Sequence, residues 1–122
     1  MPRKARVAGE VQQHLQRAVG ALRDPRLAAV SVTRVVLSDD LSSARVFVRI
    51  AFGPSGDPER RGLMRALGAA TGRLRHGLGT ELGLRYVPAL YFAYDEGPDD
   101  ARRVAELLEE IARETPRDPE EG

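Results

Sequence analysis

The sequence predicts an α+β fold in which a three-stranded sheet carries its helices on one face. Three observations lead there. Between residues 58 and 79, Leu63, Leu67, Ala70, Leu74 and Leu78 recur at spacings of 4, 3, 4 and 4, which is the buried stripe of an amphipathic helix. Between residues 44 and 50, Ala44, Val46, Val48 and Ile50 alternate with Arg45, Phe47 and Arg49. That is a strand with one face in the core and a basic, aromatic face outside. The third is the order of elements: helix, strand, strand, interrupted helix, strand, helix. A single sheet with helices on one face buries all of these stripes at once.

The elements follow in order. Residues 1–5 read as a short flexible basic arm. From Arg6, the residues Val7, Val11, Leu15, Ala18 or Val19, and Leu22 line one side of a helix, with Glu10, Gln12, Gln13, Gln16 and Arg17 mainly turned to solvent. His14, set among these glutamines, reads as a surface residue. Pro25 stops the helix, because the residue before a proline avoids the α region. Residues 30–37 are rich in β-branched side chains and alternate at Val30 and Val32. The run Val35-Val36-Leu37 breaks that alternation, so a bulge or two-sided burial is expected there. Ser38-Asp39-Asp40-Leu41-Ser42-Ser43 is turn chemistry, and the strand after it closes an antiparallel hairpin. Asp57 is the expected N-cap of the next helix, with Pro58 at its first position. Ala89 to Tyr94 is a third strand, with Leu90, Phe92 and Tyr94 on one face. Residues 101–113 form a last helix with Val104, Leu107, Leu108 and Ile111 on its apolar side. Residues 6–113 thus make one domain, and 114–122 an acidic, disordered tail. The arginines of the second strand are expected to discourage edge-to-edge pairing.

Gly68 and Gly72 interrupt the long helix. A glycine inside a helix costs about 1 kcal/mol relative to alanine, so the pair requires a reason. At about 100° per residue, Arg61, Arg65, Gly68, Gly72 and His76 project opposite the leucines. A glycine there bares the backbone within a basic rim, where a nucleic-acid strand can lie close. The competing reading is that Gly72 only kinks or breaks the helix. Arg73 and Arg75 fall on opposite flanks, placed to clamp a backbone lying over Gly72.

Composition excludes several classes. With 122 residues, 42% apolar and only six aromatics, the chain is one domain with an aliphatic core. It has no Cys, hence no disulfide scaffold, cysteine nucleophile or cysteine metal site. No apolar run approaches the ~20 residues of a membrane span, and no signal peptide is recognisable; a soluble cytoplasmic protein is expected. The formal charge of +1 hides an asymmetry. Residues 1–94 hold 15 Arg and Lys against 7 Asp and Glu, whereas residues 95–122 hold 4 against 11. A basic body with an acidic tail points to a polyanionic partner.

Catalysis finds little support. His14 and His76 have no metal-ligand spacing, and no nucleophile elbow, phosphate loop or dinucleotide fingerprint occurs. Asp95, Glu96, Asp99 and Asp100 lack the alternating ligands of a calcium loop and read as a solvated turn. No enzyme, cofactor or metal site is expected. The candidate site is basic: Arg61, Arg65, Arg73, Arg75 and Arg85 around the interrupted helix, with Arg45 and Arg49 from the strand. Tyr86 and Phe47 are candidates for stacking on a base.

These residues also carry a resemblance. Arg6-Val7-Ala8, Asp24-Pro25-Arg26-Leu27, the hairpin from Val32 to Val48, Ala70-Thr71-Gly72 with Leu74-Arg75, and Leu84 to Asp95 occur in the order and spacing of ribosome-binding factor A. The chain resembles that family over about residues 6–112. The resemblance implies a KH-like (type II) domain, α-β-β-α(kink)α-β plus a C-terminal helix. KH modules commonly hold nucleic acid on a Gly-X-X-Gly loop between two helices. This family instead has a helix-kink-helix marked by Ala-X-Gly, matched by Ala70-Thr71-Gly72. It implies a non-catalytic factor that binds the free or immature small (30S) ribosomal subunit and its 16S rRNA. It further implies late maturation, including 5′-end processing, with a maturation GTPase as functional partner, no membrane and a monomeric state. Asp39 stands where the family often has arginine, so any RNA contact of that turn is lost or shifted here. The rivals are a protein-interaction module of the same fold without RNA binding, and a small hydrolase built on the acidic cluster.

Overall fold

A computed structural model describes residues 3–97 together with Leu108 and Glu109. Helix α1 (Arg3–Ala21) leads through one 3-10 turn (Pro25–Leu27) into β1 (Val30–Leu37) and β2 (Ser43–Ile50); α2 (Asp57–Leu82) and β3 (Ala89–Tyr94) follow. The strands lie in the order β1-β2-β3. β1 and β2 are antiparallel, whereas β2 and β3, joined through α2, are parallel. α1 packs on β1 and α2 on β3, and the helices touch each other. Val11, Leu15 and Val19 of α1 meet Val46 and Val48 of the sheet and Leu63, Leu67, Leu74 and Leu78 of α2 in one aliphatic core. The expected helix at 101–113 and the tail at 114–122 lie outside the described residues, apart from Leu108 and Glu109, which are helical and exposed.

Several local expectations are corrected. Residues 3–5 belong to α1 rather than to a flexible arm. Lys4 and Ala5, with Ala8, line a hollow against Val35, Val36 and Leu37 at the end of β1, and these are adequate helix formers. Gln12 and Gln16 do not face solvent. The Gln12 amide donates to the carbonyls of Val32 (3.1 Å) and Thr33 (3.2 Å). Gln16 donates to the Val30 carbonyl (3.3 Å) and accepts from the Val32 N–H (2.7 Å). β1 is a sheet edge, and the two glutamines occupy backbone groups that another chain could otherwise pair with. The arginines of β2 cannot protect an edge, because β2 is the central strand. His14 is buried, 8% exposed. It fills the helix crossing where Gly77 leaves room: a Cβ at Gly77 would lie 3.5 Å from its Nε2.

The irregularity of β1 lies between Val32 and Arg34, earlier than the Val35-Val36-Leu37 run that betrays it. The extra residue, Thr33, resets the alternation, so Val30 and Val32, then Val35 and Leu37, all reach the core. Its hydroxyl donates to Asp95, tying the bulge to the end of β3. α2 is capped by Gly56, whose N–H donates to Glu59 Oε1 (2.9 Å), rather than by Asp57. It ends at Gly83, φ 62°, the left-handed conformation that glycine adopts without strain.

The β1–β2 turn supports a pH prediction. Asp40 Oδ1 accepts from the Ser42 hydroxyl (2.7 Å), the Ser42 N–H (3.1 Å) and the Ser38 hydroxyl (2.9 Å). Led by the Ser42 hydroxyl, these bonds hold its pKa down at about 2. A carboxylate depressed in the folded state contributes stability that is present above its unfolded pKa and lost as pH falls. Asp40→Ala should therefore lower stability at neutral pH. It should also flatten the loss of stability between about pH 4 and pH 2, as read by denaturant titration at each pH.

Candidate nucleic-acid interface

The outer face of α2 is the first candidate. Arg61, Arg65, Gly68, Gly72 and His76 are all exposed along it, with Arg73 at its edge. Arg61, Arg65 and Arg73 have no ion-pair or hydrogen-bond partner among the described residues. Their charge is available to an outside ligand.

The interruption takes a different form from the one expected. α2 is helical without a break from Asp57 to Leu82, through Gly68 and Gly72. Leu67 and Leu74 anchor the turns on either side in the core, which offsets the poor propensity of the glycines. Between them the Thr71 hydroxyl donates to the Leu67 carbonyl (2.9 Å), a back-bond that bends helices slightly without ending them. In the Ala70-Thr71-Gly72 triplet, Ala70 packs against the core and only Gly72 is exposed.

Neighbouring glycines show what is particular about Gly68 and Gly72. A Cβ at Gly79 would lie 2.7 Å from Val87 Cγ2, whereas one at Gly68 or Gly72 would meet nothing within 4 Å. Gly79 is needed for packing; Gly68 and Gly72 are not. Their cost to the helix is matched by no gain within the fold. Gly72→Ala should accordingly stabilise the protein by about 0.5–1 kcal/mol while weakening any ligand that lies on the bare backbone. Gly72→Leu should weaken that ligand much more. Denaturation midpoints and binding titrations of the two variants check both halves.

Arg75 is not on this face. It is half-buried, and its Nε and Nη2 donate to the carbonyls of Pro88 (3.0 Å) and Val87 (2.8 Å). It fastens the loop before β3 to α2, so the clamp expected from Arg73 and Arg75 does not form. Arg73 instead lines a groove of about 330 Å³ between α2 and the 3-10 turn, opposite Arg23. Arg23 was absent from the sequence-based candidates; only the packing of α1 against α2 brings it near Arg73. Arg85 and Tyr86 sit on the same connecting loop, Tyr86 80% exposed with the Arg85 guanidinium 5.7 Å from its ring centre.

Arg45 and Arg49 lie elsewhere. They project from the sheet face opposite the helices and are exposed there. The candidate arginines thus divide between two surfaces, with the sheet and the core between them. Arg34 joins the sheet group because the bulge at Thr33 turns it outward, its guanidinium 4.2 Å above the Phe47 ring.

The acidic cluster has structural partners. Asp95 accepts from the Thr33 hydroxyl and from the Gly97 N–H (2.9 Å), which together hold its pKa below the usual carboxylate range. Glu96 pairs with Arg60 (2.9 Å). Asp99 and Asp100 lie outside the described residues. Asp39 faces Lys4 of α1 (2.8 Å). No helix among the described residues is long and apolar enough to cross a membrane.

A helix, a β-hairpin, a long helix and a parallel third strand, with both helices on one side, define a small KH-like module. The family model of ribosome-binding factor A matches residues 3–108. The ribosome-binding factor A of Sorangium cellulosum is 50% identical over 109 residues, covering 89% of this chain and 88% of the relative. That of Thermomicrobium roseum is 41% identical over 120 residues, covering 95% and 88%. The crystal structure of the Thermus thermophilus protein superposes with a TM-score of 0.68 at 32% identity, covering 78% of this chain and 99% of that one. A homology model of Thermus thermophilus ribosome binding factor A, fitted into a cryo-EM map of its 30S complex, gives a TM-score of 0.62 at 32% identity, with 75% and 93% covered. The chain belongs to the ribosome-binding factor A family.

Proposed function

We propose that this protein is a non-catalytic assembly factor of the small ribosomal subunit. It binds the free or immature 30S particle through 16S rRNA, assists late maturation including processing of the RNA 5′ end, and then leaves. It works in the cytoplasm as a monomer, with a maturation GTPase as functional partner. Membership of the family and the relative fitted into a 30S complex support this reading. The observation that carries the RNA contact is the outer face of α2. There, unpaired arginines surround two glycines that the fold does not require. Arg61, Arg65 and Arg73, with Arg23 across the groove, would neutralise phosphates. Gly68 and Gly72 would let the strand approach the helix backbone.

Depletion tests the cellular role. Cells deprived of the protein should accumulate 16S rRNA with unprocessed 5′ ends, and re-expression of the wild type should restore processing. Normal 5′ ends in depleted cells would contradict the maturation role.

A further inference from the structure

The outer face of the sheet is unclaimed by the reading above, which rests on α2. Among the described residues no element covers it. Its cross-strand rows follow from the register. Val36, Arg45 and Tyr91 make one row, and Arg34, Phe47 and Ala93 the next. Tyr91 is 60% exposed and Val36 46%. The two rows enclose a shallow groove of about 560 Å³, lined by Arg34, Val36, Arg45, Phe47 and Tyr91 among others. Arg49 lies one further position along β2 on the same face.

We infer that this face is a second RNA site, a stacking platform for single-stranded RNA, separate from α2. Rows two residues apart along a strand are about 7 Å apart. Each row offers one flat partner. In the first it is the open Tyr91 ring. In the second it is the exposed Arg34 guanidinium, its Cζ 4.2 Å from the centre of the Phe47 ring. Unpaired bases stack on aromatic rings and on guanidinium planes. Arg45, beside Tyr91 in the first row, and Arg49, beyond the second, carry the positive charge for the linking phosphates. A duplex, whose bases are already stacked, could reach the arginines with its phosphates but could not use the two flat partners. The ligand is therefore an unpaired stretch of about two or three nucleotides, read by shape and stacking rather than by base-edge hydrogen bonds. The inference shares with the proposed function only the premise that the partner is RNA.

The test uses the full chain and a fluorescein-labelled single-stranded hexa-adenylate, followed by anisotropy, with a labelled RNA duplex as competitor. Tyr91→Ala should weaken hexa-adenylate binding about 5- to 100-fold, and Tyr91→Phe should restore it. Arg45→Ala should lower both affinity and its salt dependence. In the α2 triple variant Arg61→Glu, Arg65→Glu, Arg73→Glu, where the α2 contribution is removed, adding Tyr91→Ala should still lower the remaining hexa-adenylate affinity about 5- to 100-fold. Unchanged affinity in Tyr91→Ala would overturn the platform, as would competition by duplex as strong as by single strand. If Tyr91→Ala keeps hexa-adenylate binding but loses binding to immature subunits, the face docks a protein, which also overturns the proposal. A failure of the platform leaves the α2 reading standing whenever the α2 variant still loses subunit binding.

Discussion

Reversing Arg61, Arg65 and Arg73 together to glutamate should weaken binding to immature small subunits on the order of 100-fold at physiological salt. The three guanidiniums are exposed and unpaired among the described residues. No salt bridge among the described residues is lost, so the fold should be unaffected. Each phosphate contact removed takes about 0.7–0.9 from the slope of log affinity against log salt. The triple variant should therefore show a slope shallower by about 2 to 3 as well as a lower affinity. Circular dichroism and the denaturation midpoint serve as controls and should match the wild type. An affinity loss without a change in slope would mean that the arginines act through something other than phosphate neutralisation. Replacing Arg75 would free the Val87 and Pro88 carbonyls and confuse folding with binding.

Leu67→Ala should have the largest effect on stability, a loss of about 2–5 kcal/mol. Leu67 is fully buried where α2 meets the rest of the core. It also anchors the turn preceding Gly72, where the helix has least intrinsic propensity. Against a total of about 5–15 kcal/mol for a domain of this kind, the variant would stand near the edge of folding. The midpoint in urea should fall with the slope unchanged. A loss below 1 kcal/mol would mean that the glycine-containing half of α2 is held by something other than this contact. Gly72→Ala, on the opposite face of the same helix, should move stability the other way. The pair together separates the structural side of α2 from its binding side.

Much of the architecture was legible because its signals are local. The leucine stripe, the alternation from Ala44 to Ile50 and the run Ala89 to Tyr94 each specify an element and its inward face. The position of the bulge was half legible. Val32 and Val35, three apart where a regular strand requires an even spacing, mark the change of phase, but the apolar run after it is the more conspicuous signal. What the sequence could not convey depends on tertiary neighbours. Gln12 and Gln16 look solvated until β1 proves to be an edge strand under α1, and His14 looks exposed until Gly77 opens the helix crossing. The same holds for the site. Periodicity correctly placed Arg61, Arg65, Gly68 and Gly72 on one face. It could not show that Arg75 is engaged by the loop at Val87 and Pro88. Nor could it show that Arg45 and Arg49 point away from α2 on the far side of the sheet. Arg23 and Arg73 are fifty positions apart and line one groove only because the segment after α1 lies alongside α2.

The central claim is that an unpaired basic helix face, bared at Gly68 and Gly72, holds the RNA of an immature small subunit. Co-sedimentation of the wild-type protein with immature and mature small subunits across a salt series tests it most directly. Preferential binding to the immature particle is expected, with log affinity falling steeply and linearly as log salt rises. Binding indifferent to salt, or absent from both particles while the protein is demonstrably folded, would contradict it and favour a protein-docking role for the same fold.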